Sequence, residues 1–328
     1  MEKYNIFITG GAGYVGALLT SKLLSLGHKI TVYDLMIYGE NVLKDHPNLR
    51  KVCGDIRDTK IIKETIKGHD IVIHLACISN DPSFEINPKL GKSINLDSFR
   101  PLVEISKTSN IKRYIYASSS SVYGVKDTPN VNETMSLNPL TDYSIFKADC
   151  EKILAEYKSE DFTTVTLRPA TVCGFSPRQR LDVVVNILTN IAFHNRKITI
   201  FGGDQLRPNI HIDDMVDAYV TLLNAPHNII NGQIYNVGHE NHSVRQLAEI
   251  VKSIMGSDIK LENIPTNDNR SYHISSDKIK IDLNFECNRS IEQAVKDLKK
   301  SFETGLLPNS LNDEKYFNLK KMQSINLM

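Results

Sequence analysis

The feature that most constrains the fold is a glycine-rich stretch, TGGAGYVG, which directly follows the first apolar run of the chain, YNIFIT. Gly10, Gly13 and Gly16 have GxxGxxG spacing, and the residues after them show apolar positions at helical spacing. Glycines between a strand and a helix let the backbone approach a pyrophosphate, which the positive end of the helix then stabilises. The stretch therefore predicts the first βαβ unit of a dinucleotide-binding fold.

Short apolar runs alternate with helical patterns along the rest of the chain. This rhythm predicts an α/β protein whose parallel strands are joined by right-handed helical crossovers. Near the carboxyl end, Ser290 with Gln293 predicts the start of a helix and Gly305 its end. The remaining tail, rich in Asn, Lys and Asp, is predicted to be poorly ordered. Strands are predicted at 4–9, 29–33, 49–52, 70–75, 113–118, 163–167 and 234–237, and helices at 15–26, 58–67, 94–108, 143–157 and 213–223.

Acidic and small residues end the later strands at positions where a dinucleotide would pass. Asp34 ends the second strand, roughly 20 residues after the glycine turn, and its carboxylate can accept hydrogen bonds from both ribose hydroxyls. A carboxylate repels a 2′-phosphate, and no arginine stands just after it, so the sequence favours NAD over NADP. Asp55 in GDIRD is placed within reach of the adenine, while Leu75 and Ala76 in HLAC let the cofactor pass.

Composition argues against several other classes of protein. The net charge of +1 gives no basis for binding nucleic acid or an acidic membrane surface. The five cysteines lack CxxC and zinc-ligand spacing, and the ten histidines form no HExxH pattern, so no metal site is expected. No apolar run approaches the roughly 18 residues of a membrane span. The first strand begins without the pattern of a signal peptide, and a cytoplasmic protein is expected.

Tyr143 and Lys147 form a YxxxK pattern at the start of a predicted helix, which places both side chains on one face. A tyrosine is a poor base at neutral pH, but a neighbouring lysine cation and an oxidised nicotinamide both lower its pKa. Such a tyrosine can take the proton of a hydroxyl group whose carbon gives up a hydride. The pattern alone is common on helix surfaces. It indicates catalysis here because a dinucleotide site and a serine cluster, Ser118 to Ser121, accompany it.

The patterns TGGAGYVG, GDIRD, HLA, SSSSVYG, YxxxK, RPATVCG and NVG occur in this order along the chain. Together with Asp34 they resemble the extended short-chain dehydrogenase/reductase superfamily, specifically its NAD-dependent nucleotide-sugar epimerases and dehydratases. The resemblance implies a Rossmann-type doubly wound parallel sheet of about seven strands with a smaller C-terminal substrate-binding domain. The implied domains are residues 1–172 plus 208–240, which bind NAD, and 173–207 plus 241–328, which bind a nucleotide-diphosphate sugar. A homodimer is also implied, joined by a four-helix bundle to which each chain contributes residues 94–108 and 143–157.

The resemblance assigns roles to single residues as well. Ser119 takes the place of the family's catalytic Ser/Thr and would hydrogen-bond the sugar hydroxyl beside Tyr143. Arginines suit bidentate contact with a diphosphate, although arginines in loops are often simply solvated. The residues implied to contact the cofactor are Gly10, Gly13, Tyr14, Val15, Gly16, Asp34, Asp55, Ile56, Leu75, Ala76, Ser118, Tyr143, Lys147, Pro169 and Val172. Those implied to contact the substrate are Ser79, Asn80, Ser120, Ser121, Thr171, Arg178, Arg180, Asn186, Phe201, Arg207 and Arg270.

The two positions after Ser119 discriminate between reactions of the family. Its dehydratases carry acidic residues where this chain has Ser120 and Ser121, and a serine can neither remove the C5 proton nor protonate the departing C6 hydroxyl. We therefore expect an NAD-dependent enzyme that oxidises C4 of a nucleotide-diphosphate sugar and stops at the 4-keto sugar. RPATVCGFSPRQRLD and ISNDPSFE resemble a narrower group from bacterial capsule and lipopolysaccharide loci, with the GDP-heptose 4-dehydrogenases as the best match. A 4-epimerase uses the same residues and stays open as the alternative.

Overall fold

Seven parallel strands form the largest sheet of the computed structural model, which describes residues 2–79, 81–126, 128–266, 271 and 273–327. The strands in chain order are β1 (Asn5–Thr9), β2 (Lys29–Asp34), β3 (Leu49–Cys53), β4 (Ile71–His74), β5 (Arg113–Ala117), β6 (Thr163–Pro169), β7 (Thr171–Cys173), β8 (Lys197–Phe201), β9 (Leu206–His211), β10 (Gln233–Val237), β11 (Glu240–Ser243) and β12 (Lys260–Ile264). The order across the large sheet is β10-β6-β5-β4-β1-β2-β3, so β1 lies between β4 and β2. The predicted fold class, a doubly wound parallel sheet of about seven strands, is confirmed.

Helices cover both faces of this sheet, which explains why its strands are apolar on both sides. On one face, Leu19 and Leu222 share a core with the strands, and on the other face Phe99 and Leu154 do so. The helices are α1 (Tyr14–Ser25), α2 (Thr59–Thr65), α3 (Asp81–Ile86), α4 (Pro88–Lys92), α5 (Phe99–Thr108), α6 (Asp142–Ala155), α7 (Val184–Asn195), α8 (Ile212–Asn224), α9 (His227–Ile230), α10 (Val244–Met255), α11 (Asp277–Leu283), α12 (Ile291–Glu303) and α13 (Asn318–Ser324).

A second, smaller core lies outside the large sheet. Its apolar residues fall between Cys173 and Ile200 and between Val244 and Val295, and they come mainly from α7, α10 and α12. β8 pairs with β12 beside this core, and β11, β9 and β7 form a separate three-stranded sheet. The domain bounds implied by the resemblance stay a prediction.

The C-terminal tail and one helix differ from the sequence prediction. The tail after Gly305 is ordered, with a 3₁₀ helix at Glu314–Tyr316 followed by α13. Tyr316 and Met322 are buried against the rest of the chain, and this burial stabilises a segment whose composition predicted disorder. The helix predicted at 94–108 starts with a π-helical segment, Ser93–Asp97, before α5 begins.

The part of the chain that the structure describes contains neither a membrane-spanning helix nor a group of metal-ligating side chains. No helix there is both long and apolar enough to cross a membrane. No three His, Cys, Asp or Glu side chains among those residues are grouped so that they could hold a metal ion.

Candidate active site

A cavity of about 500 Å³ lies at the carboxyl ends of the sheet strands, where open parallel sheets bind ligands. Its wall includes the glycine turn after β1, the loops after β2 and β4, the serine turn after β5 and the start of α6. Every residue implied to contact the cofactor lies on this wall, and so do Ser119, Tyr143 and Lys147. The fold thus gathers the predicted cofactor and catalytic residues around one space.

The glycine turn leaves no room for side chains. Gly10 has φ of +75°, which L-residues rarely adopt, and a Cβ on it would lie 2.6 Å from the backbone nitrogen of Ala76. A Cβ on Gly16 would lie 2.3 Å from the carbonyl oxygen of Gly10. Gly13 is the N-cap of α1, and no side chain of the described residues caps this helix. The first amide groups of α1 are therefore available to a phosphate in the cavity.

Asp34 ends β2 with each carboxylate oxygen holding one hydrogen bond. Oδ2 accepts from the backbone nitrogen of Ala12 at 3.0 Å, and Oδ1 accepts from that of Met36 at 2.9 Å. Burial raises the pKa of this carboxyl, and the two backbone donors oppose the rise. Each oxygen keeps a further lone pair for a ribose hydroxyl. The glycine turn and Asp34 therefore fit the adenosine diphosphate half of NAD.

Asp55, predicted to reach the adenine, already has a partner. Its Oδ2 accepts from Nη2 of Arg57 at 2.6 Å, and this interaction lowers the pKa of Asp55. Asp55 and Ile56 both line the cavity. The adenine contact of the Asp55 side chain stays a prediction.

Tyr143 and Lys147 lie in the first turns of α6, which starts at a capping box formed by Thr141 and Ser144. Nζ of Lys147 donates to the carbonyl oxygen of Ala117 at 2.6 Å and lies 5.8 Å from the centroid of the Tyr143 ring. This hydrogen bond ties the helix to the end of β5, directly before the serine turn. The structure thereby brings the predicted base and its lysine next to the predicted serine.

Burial raises the pKa of Tyr143 above its ordinary value near 10. Cys77 and Asp81 add to this rise, whereas the Arg180 charge and the interaction with Ser119 oppose it. Burial is the largest of these influences on the phenol. Nζ of Lys147 lies 5.8 Å from the centroid of the Tyr143 ring, and the lowering of the Tyr143 pKa by Lys147 stays a prediction.

The four serines after β5 have different surroundings. Ser118 donates its hydroxyl to Glu151, so this side chain belongs to a buried polar group behind the cavity. Oγ of Ser119 accepts from the backbone nitrogen of Ser121 at 3.1 Å and lies 2.9 Å from Oγ of Ser121. Ser120 is buried. All four residues border the cavity, and Ser119 is the one that also interacts with Tyr143.

Arg180 lies at the catalytic end of the cavity. Its Nε pairs with Oδ1 of Asp182 at 2.6 Å, and its Nη1 donates to Oγ of Ser79 at 3.3 Å. Its charge also acts on Tyr143, as the pKa of that phenol shows. The placement agrees with a role for Arg180 and Ser79 beside the reacting sugar, which stays a prediction.

Only some of the other predicted substrate residues lie on the cavity wall. Thr171, Arg178 and Arg207 line the cavity. Asn80 and Arg270 lie outside the described residues.

Two predicted substrate residues, Asn186 and Phe201, do not line the cavity. Asn186 is 0% exposed, and its Nδ2 donates to the Tyr14 hydroxyl at 3.0 Å and to the Arg180 carbonyl at 2.8 Å. Its Oδ1 accepts from the backbone nitrogen of Gly174 at 3.0 Å, so the amide is used to hold the chain rather than a phosphate. Phe201 is 56% exposed at the end of β8 and does not border the cavity.

Sequence reasoning missed several cavity residues, notably Tyr38, Asn318 and Cys77. Tyr38 follows Asp34 closely and could have been included with the loop after β2. Asn318 had no local signal, since it reaches the cavity only through tertiary contacts with Tyr38 and Ser79. Asp81 also borders the cavity, where its Oδ1 accepts from the Thr141 hydroxyl at 2.6 Å.

Comparisons with known proteins identify the family of the chain. Residues 6–238 match the model of the NAD dependent epimerase/dehydratase family. A UDP-glucose 4-epimerase of Lactobacillus helveticus is 26% identical over 273 residues, covering 77% of this chain and 82% of that protein. The uncharacterized UDP-glucose epimerase YtcB of Bacillus subtilis is 32% identical over 267 residues, covering 76% of this chain and 82% of that protein. The crystal structure of a Thermotoga maritima UDP-glucose 4-epimerase with UDP-glucose has a TM-score of 0.83 at 26% identity, covering 92% of this chain and 99% of that chain.

The matched region contains the glycine turn, Asp34, the serine turn and the YxxxK pair. It also spans well over half of the chain, and the relatives are similar over most of their own length. The chain therefore belongs to the NAD dependent epimerase/dehydratase family, and NAD is its cofactor.

Proposed function

We propose that this chain oxidises C4 of a nucleotide-diphosphate sugar, as the first half of a 4-epimerisation. The proposal rests on one observation: Ser119, Tyr143 and Lys147 lie together on the cavity wall. Positions 120 and 121, which border the same cavity, carry no acidic side chain. A dehydratase needs an acid and a base for C5 and C6, and Ser120 and Ser121 supply neither. The nearby Asp81 is held by Thr141 on the start of α6.

The chain's own residues account for the proton transfer. Ser119 orients the C4 hydroxyl, and the phenolate of Tyr143 accepts its proton. The Lys147 ammonium, fixed on the carbonyl of Ala117, stabilises the phenolate and is placed to bind the nicotinamide ribose. Bound NAD supplies the acceptor for the hydride that leaves C4. Because burial raises the Tyr143 pKa, we expect the rate of oxidation to increase with pH through the neutral range.

Epimerisation and simple dehydrogenation share this first step. The UDP-sugar 4-epimerases among the relatives favour epimerisation, in which the ketone is reduced from its opposite face. The second candidate is a GDP-heptose 4-dehydrogenase, which releases the 4-keto sugar. It is favoured by Thr171 on the cavity wall, where relatives of the hexose type often carry an asparagine.

Product analysis separates these reactions. The purified chain is offered UDP-, dTDP- and GDP-sugars with NAD, and products are identified by mass spectrometry and NMR. Unchanged mass with inversion at C4 supports the epimerase, a loss of two hydrogens supports the dehydrogenase, and a loss of water contradicts both. Tyr143→Phe should lose turnover by at least about 10²-fold while binding NAD. Normal turnover in this variant would contradict the assigned base.

We also propose the setting in which the enzyme acts. The chain is expected to form a homodimer through α5 and α6, to act in the cytoplasm, and to bind no nucleic acid. These expectations rest on the family resemblance and on the net charge of +1.

A further inference from the structure

Arg178 is a buried cation that has no anionic partner among the described residues. It is 4% exposed, and its Nε has no hydrogen-bond partner in the part of the chain that the structure describes. Its guanidinium lies 3.6 Å from the centroid of the Tyr38 ring and donates to Oδ1 of Asn318. An unpaired buried charge is costly. Because Arg178 also borders the cavity, its unpaired guanidinium points to an anionic ligand.

The neighbouring Arg180 does not share this property. Asp182 pairs with Arg180 at 2.6 Å and accepts from the backbone nitrogen of Asn318 at 2.8 Å through its other oxygen. Asp182 is the one carboxylate of this loop, and its two oxygens are bonded to Arg180 and to the backbone at the start of α13. Arg178 is left as the cation that can bind an anion.

Strand order places Arg178 near the glycine turn. β1 lies between β4 and β2, so the turn after β1 lies between the loops that follow those two strands. Asn318 bonds to both loops: its Oδ1 accepts from the Tyr38 hydroxyl at 2.9 Å, and its Nδ2 donates to Oγ of Ser79 at 2.9 Å. Asn318 therefore joins the two loops that flank the glycine turn, and Arg178 is bonded to Asn318.

The segment that carries Arg178 is also fixed to the start of α1. The Ser176 hydroxyl donates to the carbonyl of Tyr14 at 2.6 Å, and the Tyr14 hydroxyl donates to the carbonyl of Gly174 at 2.7 Å. The Arg178 charge is felt at Asp34, where burial raises the carboxyl pKa and Arg178 opposes the rise. Arg178 therefore lies on a segment bonded to the start of α1, the helix end that fits a diphosphate, and its charge acts on the carboxylate that fits the adenosine ribose.

We propose that Arg178 binds the diphosphate of NAD, beneath a strap formed by Asn318 and α13, and not the diphosphate of the sugar nucleotide. This proposal is an alternative to the substrate role predicted for Arg178 from the sequence. The inference rests on NAD as the cofactor and holds for either of the proposed reactions.

The test compares NAD with two nucleoside diphosphates, UDP and GDP, as ligands of the whole chain after removal of the cofactor. Dissociation constants for NAD, UDP and GDP are measured by calorimetry for the wild type, Arg178→Met, Arg178→Lys and Arg180→Met. Arg180→Met is the matched control, since it removes a cavity arginine two residues away. Melting temperatures establish that each variant is folded.

In Arg178→Met the affinity for NAD should fall about 10- to 100-fold, the loss expected for a charge-assisted contact, while nucleoside diphosphate affinity stays within about twofold. Arg180→Met should keep its NAD affinity within about twofold of the wild type, because Asp182 already pairs with that arginine. Arg178→Lys keeps the charge but not the planar fork, and it should lose about 3- to 10-fold in NAD affinity. Unchanged NAD binding in either Arg178 variant, or a larger loss for UDP or GDP than for NAD, would overturn the proposal.

Discussion

Both oxygens of Asp34 accept a backbone hydrogen bond, from Ala12 and from Met36, and both keep a lone pair for a ligand. The backbone bonds fix the direction of the carboxylate before any ligand arrives, so little further ordering is needed on binding. At the scale of single residues, the preference for NAD over NADP therefore depends on the Asp34 carboxylate, whose direction is fixed before the cofactor binds. That anion accepts from two ribose hydroxyls and repels a phosphate on one of them.

Replacing Asp34 should weaken NAD binding and reduce discrimination against NADP. In Asp34→Ser we expect NAD affinity to fall at least about 10-fold, since hydrogen bonds to a charged group are lost. NADP affinity should change little or improve, because the repulsion is removed. Calorimetry with both cofactors measures the ratio, and Asp45→Ser, at a carboxylate 95% exposed, is the control. An unchanged ratio of NAD to NADP affinity would contradict the assigned role.

His74 gives a pH-dependent prediction. Burial lowers its pKa to about 3, and its Nδ1 lies 2.7 Å from Oγ1 of Thr9. A histidine in the unfolded chain titrates near 6.5, so between about pH 6 and 4 the unfolded state binds more protons than the folded state. The free energy of unfolding should therefore fall as the pH falls, by up to about 1.4 kcal/mol per pH unit from this residue.

Urea denaturation at pH 7, 6 and 5 checks this contribution. In His74→Gln the decline between pH 6 and 5 should be shallower than in the wild type by about that amount. His46→Gln, at an exposed loop position, is the control and should keep the wild-type slope. Equal slopes in His74→Gln and the wild type would contradict the prediction.

At the scale of elements, a buried ion pair connects the catalytic helix to the sheet. Glu151 on α6 accepts from Nε of Arg168 at the end of β6 at 3.0 Å, and it also accepts from Ser118. Nη1 of Arg168 donates to the Tyr123 hydroxyl at 2.7 Å, which donates in turn to Asn236 on β10. These bonds join α6, the serine turn and two strands, so they set where Tyr143 stands relative to Ser119.

Removing the charge of one partner of the Glu151–Arg168 pair should strongly lower the free energy of unfolding. Glu151→Gln leaves Arg168 without its counter-charge where both side chains are 4% exposed, and we expect a loss of about 3–5 kcal/mol in the free energy of unfolding. The exposed pair Arg100–Glu156 offers a matched control, and Glu156→Gln should cost much less, because water screens the charges of this pair. Urea denaturation at pH 7 compares the two variants. Equal costs would contradict a structural role for the buried pair.

Sequence patterns predicted those turns and helices whose conformation depends mainly on residues close together in the chain. Gly10 and Gly16 identified the turn after β1, because only glycine tolerates the positive φ and the close approach found there. The YxxxK spacing placed Tyr143 and Lys147 on one helix, yet it could not show that the lysine would turn to Ala117. Asn186 was misassigned because family position does not show which polar atoms a neighbouring turn already uses.

At the scale of the whole molecule, the cavity is built from both ends of the chain. Gly10 lies in the first turn, whereas Asn318 and Met322 belong to α13, and all three border the same space. Contacts between residues so distant in sequence depend on the completed fold, so no local pattern could predict them.

The last prediction concerns assembly of two chains through α5 and α6. Ile145 on α6 is half-buried, yet among the described residues it packs in none of the apolar clusters, so a partner would complete its burial. We expect light scattering at micromolar concentration to give twice the mass of the chain. Ile145→Asp should give a folded monomer, because it places a charge in the interface core. Ile281→Asp, at an isoleucine 80% exposed on α11, is the control and should stay dimeric. A monomeric wild type, or a dimer unaffected by Ile145→Asp, would contradict this interface.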